Sequence, residues 1–112
     1  MMPTSMTQER QEYRMKQYAV VAYDYTDDGA LERRMSHREA HLAGVRELAG
    51  EGKFLSGGAI LNDDGKMIGS SNHFRFNDRQ ELDAWLETEP YMTGRVWEHV
   101  DICEVKLFDP NA

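Results

Sequence analysis

Polar and apolar residues alternate with a period of two in some segments of this chain and with a helical period in others. Residues 18–25, Tyr-Ala-Val-Val-Ala-Tyr-Asp-Tyr, are rich in β-branched and aromatic side chains, and the turn residues Thr26-Asp27-Asp28-Gly29 follow them. This segment predicts a first strand, in the centre of a sheet. Residues 1–17 are polar and show no sustained period, which predicts a flexible extension ahead of a single domain over residues 18–109.

A helical pattern follows the first strand. Ser36 and Glu39 have the spacing of a capping box, and Gly50 and Gly52 can provide a left-handed stop. Between these signals, apolar residues recur at helical spacing at Leu42, Val45 and Ala49. The pattern predicts a first helix from about His37 to Gly50, with a turn over residues 31–35 before it.

Two further strands and a second helix are predicted after the first helix. Residues 53–61 and 66–76 flank Asn62-Asp63-Asp64-Gly65, a loop that favours a hairpin. Asn77 or Asp78 can cap the second helix, which should end before Pro90 because the residue preceding proline avoids the α conformation. Its apolar stripe consists of Leu82, Trp85 and Leu86.

Residues 96–108 predict the last strand, and a change of phase near Ile102 and Cys103 predicts a bulge there. The order β-α-β-β-α-β is typical of the ferredoxin-like α+β fold, an antiparallel sheet with both helices on one face. The other face then needs a cover, and a homodimer that packs sheet against sheet, of the dimeric α+β barrel type, is expected. Candidates for apolar surface on that face are Tyr23, Tyr25, Phe74 and Trp97.

Composition narrows the range of partners. The chain of 112 residues has 13 Lys and Arg against 20 Asp and Glu, a formal net charge of -7, which argues against nucleic acid. No segment approaches the roughly 20 apolar residues that cross a bilayer, and the N-terminus lacks the apolar run of a signal peptide. Cys103 is the single cysteine, so no internal disulfide can form. These features predict a cytoplasmic protein without a membrane partner.

Arg38 and His41 are the first candidates for chemistry. On a helical wheel Arg38 is in line with the apolar stripe, so its guanidinium needs a carboxylate partner, an anionic ligand or a stem that reaches the rim. His41 is in the first turns of the predicted helix, where the helix dipole favours a neutral, basic imidazole. The ring could equally be a satisfied core residue.

Glu89 is the candidate partner of His41. It precedes Pro90-Tyr91-Met92-Thr93-Gly94, a short turn with proline suited to the first helical position. In a β-α-β-β-α-β fold the two helices lie side by side, so the start of the first and the end of the second can meet. A carboxylate bonded to one imidazole nitrogen would leave the other free to accept a proton. Tyr91 is expected to contact a substrate in the same place.

Other signals are weaker. His37 and His41 have the i, i+4 spacing of zinc ligands, but Arg38 between them would repel a metal, so no metal site is predicted. His73 and His99 lie on predicted strands and either line the same cleft, with His99 as a substrate contact, or lie on the surface. Gly57-Gly58 indicates a bulge or a close backbone approach.

With these residues in view, the chain resembles the YciI-like, YCII-related family of small bacterial proteins. The resemblance runs from about Tyr18 to Phe108 and is carried by Arg38-Glu39-Ala40-His41-Leu42, Glu51-Gly52-Lys53, Gly57-Gly58, Trp85 ahead of Glu89-Pro90-Tyr91, and Glu98-His99-Val100. It implies a dimeric ferredoxin-like fold and an active site on a His/Asp pair. The family histidine corresponds to His41 and the arginine to Arg38, while Glu89 replaces the aspartate and is longer by one methylene.

The residues and the resemblance together predict a small enzyme that needs no cofactor and transfers protons on a small acidic or oxygenated ring metabolite. The resemblance implies lyase or dehydrohalogenase-like steps. In this hypothesis His41 moves the proton, Glu89 orients the ring and Arg38 steadies an anionic oxygen. The alternatives are a non-catalytic module that binds a small molecule in the same cleft, and a dimeric structural protein with a satisfied polar network.

Overall fold

The computed structural model describes residues 15–111. The elements follow in the order β1 (Lys16–Asp24), α1 (Ala30–Gly50), β2 (Phe54–Leu61), β3 (Met67–Phe76), α2 (Arg79–Thr88), α3 (Pro90–Thr93) and β4 (Trp97–Val105). The strands form one antiparallel sheet in the order β2-β3-β1-β4, so the ferredoxin-like fold is confirmed. Most of the predicted extension, residues 1–14, lies outside the described residues, whereas residues 16 and 17 open β1.

The core lies between the sheet and the helices. Even-numbered residues of β1 and β3 point toward the helices because side chains alternate along a strand. The buried apolar cluster consists of Tyr18, Val20, Ala22, Phe74, Phe76, Leu82, Leu86, Tyr91, Val96 and Trp97. The prediction that Phe74 and Trp97 belong to the helix-free face is therefore wrong, since both side chains are buried on the helix side.

The position of Trp97 follows from a bulge in β4. Trp97 pairs with Asp24 and His99 pairs with Tyr23, so Glu98 is the extra residue. The bulge predicted near Ile102 and Cys103 is wrong, because the register there is continuous. One inserted residue reverses the facing of the side chains before it, which turns the Trp97 indole into the core.

Helix α1 begins seven residues earlier than predicted. The segment Ala30-Leu31-Glu32-Arg33-Arg34 consists of strong helix formers, and the helix starts after Gly29 without a side-chain cap. The Ser36 hydroxyl, predicted as an N-cap, instead donates to the Arg33 carbonyl at 2.8 Å inside the helix. The longer helix brings Arg34 onto the face that packs against the sheet.

The hairpin and the second helix form as predicted. Gly65 adopts a φ of 79° in the β2–β3 loop, and Asp78 caps α2 by accepting from the Glu81 amide at 2.9 Å. Gly57 gives the close backbone approach: a β-carbon there would lie 2.8 Å from the Ser71 carbonyl oxygen. None of the helices within residues 15–111 is long and apolar enough to cross a bilayer.

Candidate active site

The structure brings His41 and Glu89 into direct contact. His41 Nδ1 lies 2.6 Å from Glu89 Oε1, and the two side chains are 9% and 1% exposed. A hydrogen bond this short is typical of one that involves an ionised partner. The longer Glu side chain therefore reaches the ring without a bridging water.

Glu89 is held at the junction of two helices. It is the C-cap residue of α2 and the N-cap residue of α3. Its backbone is extended, as expected for a residue before Pro90. Oε1 also accepts from the Tyr91 amide at 3.2 Å, which satisfies a free donor at the start of α3. The carboxylate is thus fixed by the backbone as well as by the imidazole.

Two aromatic rings fix the plane of the His41 imidazole. Tyr91 stacks on it with ring centroids 4.0 Å apart, and Trp97 meets it edge-on at 6.0 Å. With Glu89 as an acceptor, the proton of a neutral imidazole lies on Nδ1. Nε2 then keeps its lone pair, and no group among residues 15–111 hydrogen-bonds this atom. The arrangement presents a base with a defined orientation.

His41 opens onto a cavity of about 250 Å³, a volume suited to a small ligand. Its wall contains side chains from α1, the sheet and α3, among them Arg34, Arg38, His41, Ser70, Asn72 and Tyr91. None of the side chains that line it within residues 15–111 is a carboxylate. Within the part of the chain that the structure describes, Arg38 forms no ion pair, so its charge remains available to an anion in the cavity.

A buried network beside this cavity was not predicted. Arg34 Nη1 donates to both carboxylate oxygens of Asp24, at 2.9 and 3.1 Å, and Arg34 Cζ lies over the Tyr91 ring, 4.6 Å from its centre. Arg34, not Arg38, is therefore the arginine whose guanidinium is buried against a carboxylate. A sequence signal existed, because Asp24 shares the buried strand face of Val20 and Ala22 and Arg34 precedes Arg38 by one helical turn.

Ser70 completes the network. Its Oγ accepts from Arg34 Nη2 at 2.8 Å and from Trp97 Nε1 at 3.2 Å. Both partners are donors only, so they occupy the two lone pairs and leave the hydroxyl hydrogen to be donated elsewhere. Since Ser70 lines the cavity, that hydrogen is available to an oxygen of a ligand.

Burial changes the proton affinity of two groups here. Burial raises the pKa of the Asp24 carboxyl above its ordinary value, although Arg34 opposes the rise. Burial also raises the pKa of the Tyr91 hydroxyl, against the opposing charges of Arg34 and Arg38. The phenol of Tyr91 therefore stays protonated at neutral pH and can act as a hydrogen-bond donor.

The remaining histidines lie elsewhere. The structure corrects the prediction that His99 contacts a substrate in the cleft, because His99 pairs with Tyr23 and lies on the helix-free face, where its side chain is 65% exposed and lies 3.1 Å from Asp101. His73 is on the same face and contacts Ser56. His37 bonds the Arg33 carbonyl. Within residues 15–111 no three His, Cys, Asp or Glu side chains are grouped closely enough to hold a metal ion.

Comparison with known proteins gives a family match. The model of the YCII-related domain matches residues 17–106. Protein YciI of Escherichia coli O6:H1 is 35% identical over 91 residues, which cover 76% of this chain and 91% of that protein. An uncharacterized protein of Haemophilus influenzae is 28% identical over 89 residues, 74% of this chain and 89% of its own length.

Solved structures share the fold. The 5-chloro-2-hydroxyhydroquinone dehydrochlorinase of Burkholderia phenoliruptrix, in complex with 2,5-dihydroxybenzoquinone, superposes with a TM-score of 0.70 at 23% identity, over 80% of this chain and 93% of that chain. A dimeric ferredoxin-like protein from an uncultured marine organism gives a TM-score of 0.51 at 16% identity, over 85% and 99%. At these identities the likeness concerns the fold.

Proposed function

Because the chain belongs to the family of the YCII-related domain, we propose that it is a small enzyme that transfers protons on an oxygenated ring compound. The observation that carries the proposal is the 2.6 Å contact between His41 Nδ1 and Glu89 Oε1, with the ring at the cavity wall. A carboxylate on one nitrogen makes the other nitrogen a base with a defined direction.

The proposed step uses only side chains. When His41 Nε2 removes a proton from a hydroxyl group of the ligand, the oxygen keeps the electron pair as an anion beside Arg38. When it removes a proton from a saturated carbon in the keto form of the ring, the electron pair of that C–H bond forms a carbon–carbon double bond. The adjacent carbonyl then becomes an enolate oxygen beside Arg38, or chloride leaves from the neighbouring saturated carbon with the electron pair of the C–Cl bond. Glu89 stabilises the imidazolium until its proton is passed on. This chemistry requires no cofactor. The cytoplasm is the proposed compartment of the protein.

The test measures proton transfer on candidate rings. The wild-type protein is incubated in deuterated water with the chlorinated hydroquinone and the dihydroxybenzoquinone of the structural neighbour, and with gentisate and protocatechuate. NMR records deuterium at ring carbons, and an electrode records chloride. Acceleration of either process by the wild type supports the proposal. If the protein accelerates neither process on any of these compounds, the proposal is wrong.

The effects of replacing Arg38 and His41 distinguish an enzyme from a module that only binds the ligand. We expect Arg38→Ala to weaken binding of the same compounds by roughly tenfold or more, because it removes a cation that has neither an ion-pair partner nor a carboxylate beside it in the cavity among the described residues. Titration calorimetry at matched salt measures this, with Arg46→Ala on the exposed side of α1 as the control. A non-catalytic binding module would show the Arg38 effect without any turnover that depends on His41.

We also propose that the protein is a homodimer that packs through the helix-free face of the sheet. Ala19, Val21 and Tyr23 of β1 lie in the middle of that face, and the similar fold of the marine protein forms dimers. Covering this face would remove its apolar side chains from water.

Val21→Glu should therefore dissociate the dimer. Val21 lies between Ser71 and Asp101 across the sheet, so a glutamate would add a charge beside an existing carboxylate. Analytical ultracentrifugation should give a mass of about twice 12.9 kDa for the wild type and the mass of one chain, 12.9 kDa, for the variant. The control is Asp83→Ala, which changes an exposed residue of α2 on the opposite side of the protein and should stay dimeric. A wild type that sediments as a monomer contradicts the proposal.

A further inference from the structure

We infer that Asn72 selects the ligand by donating a hydrogen bond from its side-chain amide to a ring oxygen. Asn72 lies on β3 with its side chain on the helix side, between Ser70 and Phe74. It is 4% exposed and lines the cavity next to His41. The inference rests on the proposed function in taking this cavity as the ligand site.

The amide of Asn72 has no protein partner at its donor end. Nδ2 is buried and forms no hydrogen bond with any of residues 15–111. Its neighbours across the sheet on the same face are Val20, whose side chain offers no acceptor, and Gly57, which has no side chain. A buried donor without a partner destabilises a fold, and an apolar side chain of similar size would avoid that cost. The acceptor is therefore supplied by what the cavity binds.

Gly57 determines where the side-chain amide of Asn72 lies. A β-carbon at Gly57 would collide with Asn72 Oδ1, so the missing side chain lets β2 lie directly against the acceptor end of the amide. With Oδ1 beside the β2 backbone at Gly57, the Nδ2 end is left for a ligand. The close approach of the two strands thus fixes the direction of the donor.

Asn72 and Ser70 together indicate the chemical class of the ligand. The free hydroxyl hydrogen of Ser70 and the Asn72 amide lie two residues apart on one strand face, about 6.6 Å along the strand. Oxygens on opposite sides of a six-membered ring match this spacing better than adjacent oxygens do. Among the residues that the structure describes, Arg38 has no ion-pair partner and the cavity wall has no carboxylate, so the ligand is a ring with para-related oxygens, one of them anionic.

The experiment compares two isomeric probes. Gentisate has hydroxyl oxygens para to each other, and protocatechuate has adjacent ones. Calorimetry on the full chain should show tighter binding of gentisate to the wild type, by roughly tenfold. Asn72→Val should lose most of this preference, while Asn72→Ser, which keeps a small donor, should retain part of it.

Thermal unfolding separates ligand selection from a structural role. Asn72→Val should unfold at the same or a higher temperature than the wild type, because it removes an unpaired buried amide. If the wild type prefers gentisate and Asn72→Val keeps that preference, the inference is wrong and the proposed function stands. A lower unfolding temperature together with an unchanged preference would make Asn72 a structural residue. A wild type that binds none of the four ring compounds overturns both.

Discussion

Replacing His41 by asparagine is expected to lower the rate of proton transfer by about two to four orders of magnitude, the usual contribution of a positioned general base. The asparagine amide can occupy the place of Nδ1 and still donate to Glu89, so the buried carboxylate keeps a partner. What disappears is Nε2, the proposed base, which is the imidazole nitrogen that does not contact Glu89. Single-turnover kinetics on the most responsive ring compound measure the loss.

Glu89→Gln is the matched companion of this variant. A glutamine has the same shape and can accept from the Tyr91 amide, so the start of α3 should stay capped. It cannot stabilise an imidazolium as a carboxylate does, and we expect a loss of at least about tenfold, smaller than that of His41→Asn. Equal rates in the wild type and in His41→Asn, with both proteins folded by circular dichroism, would exclude His41 as the base.

The elements that repeat a simple period were predictable from the sequence. The β2–β3 hairpin follows from its Gly65 loop, and α2 follows from the Asp78 cap and one apolar stripe. The short helix α3 packs against α1, and this packing brings Glu89, the residue before α3, to His41 in the middle of α1. Their contact follows from topology, while their catalytic role stays a prediction.

The features that depend on one residue, or on a distant partner, were not predictable in the same way. Ser36 and Glu39 have the spacing of a capping box, but the strong helix formers before them continue the helix, and this error left Arg34 in a turn. Which of two arginines one turn apart is buried depends on Asp24, a residue of another element. The extra residue at Glu98 likewise has no local marker, although it decides the facing of Trp97.

Arg34→Met is expected to destabilise the protein by about 3–5 kcal/mol near neutral pH, because it leaves Asp24 as a buried carboxylate without its partner. The Arg34 and Asp24 side chains are each 4% exposed, so water cannot replace the guanidinium. Methionine fills most of the same volume, which limits the effect of a cavity. Urea unfolding at several pH values measures the change.

The loss of stability in Arg34→Met should grow as the pH rises. Burial already raises the pKa of Asp24, and removal of Arg34 takes away the charge that opposes the rise. Below the ordinary value of 3.8 the carboxyl is protonated in the folded and unfolded chains, and the defect should be smallest. As the pH increases, the unfolded chain ionises first, so the free energy of unfolding of the variant falls until the folded pKa is passed.

Arg33→Met is the control, because Arg33 also binds an aspartate, Asp27, through two hydrogen bonds from the neighbouring position of α1. That pair is exposed, and Arg33 lowers the pKa of Asp27, so its removal should change stability far less at neutral pH, and the small difference from the wild type should disappear as the pH falls and Asp27 is protonated. The double variant Arg34→Met with Asp24→Asn should recover much of the loss, since no buried charge remains. A defect in Arg34→Met that is equal at all pH values, and unchanged in the double variant, would mean that Arg34 stabilises the fold by packing on Tyr91 and not by neutralising Asp24.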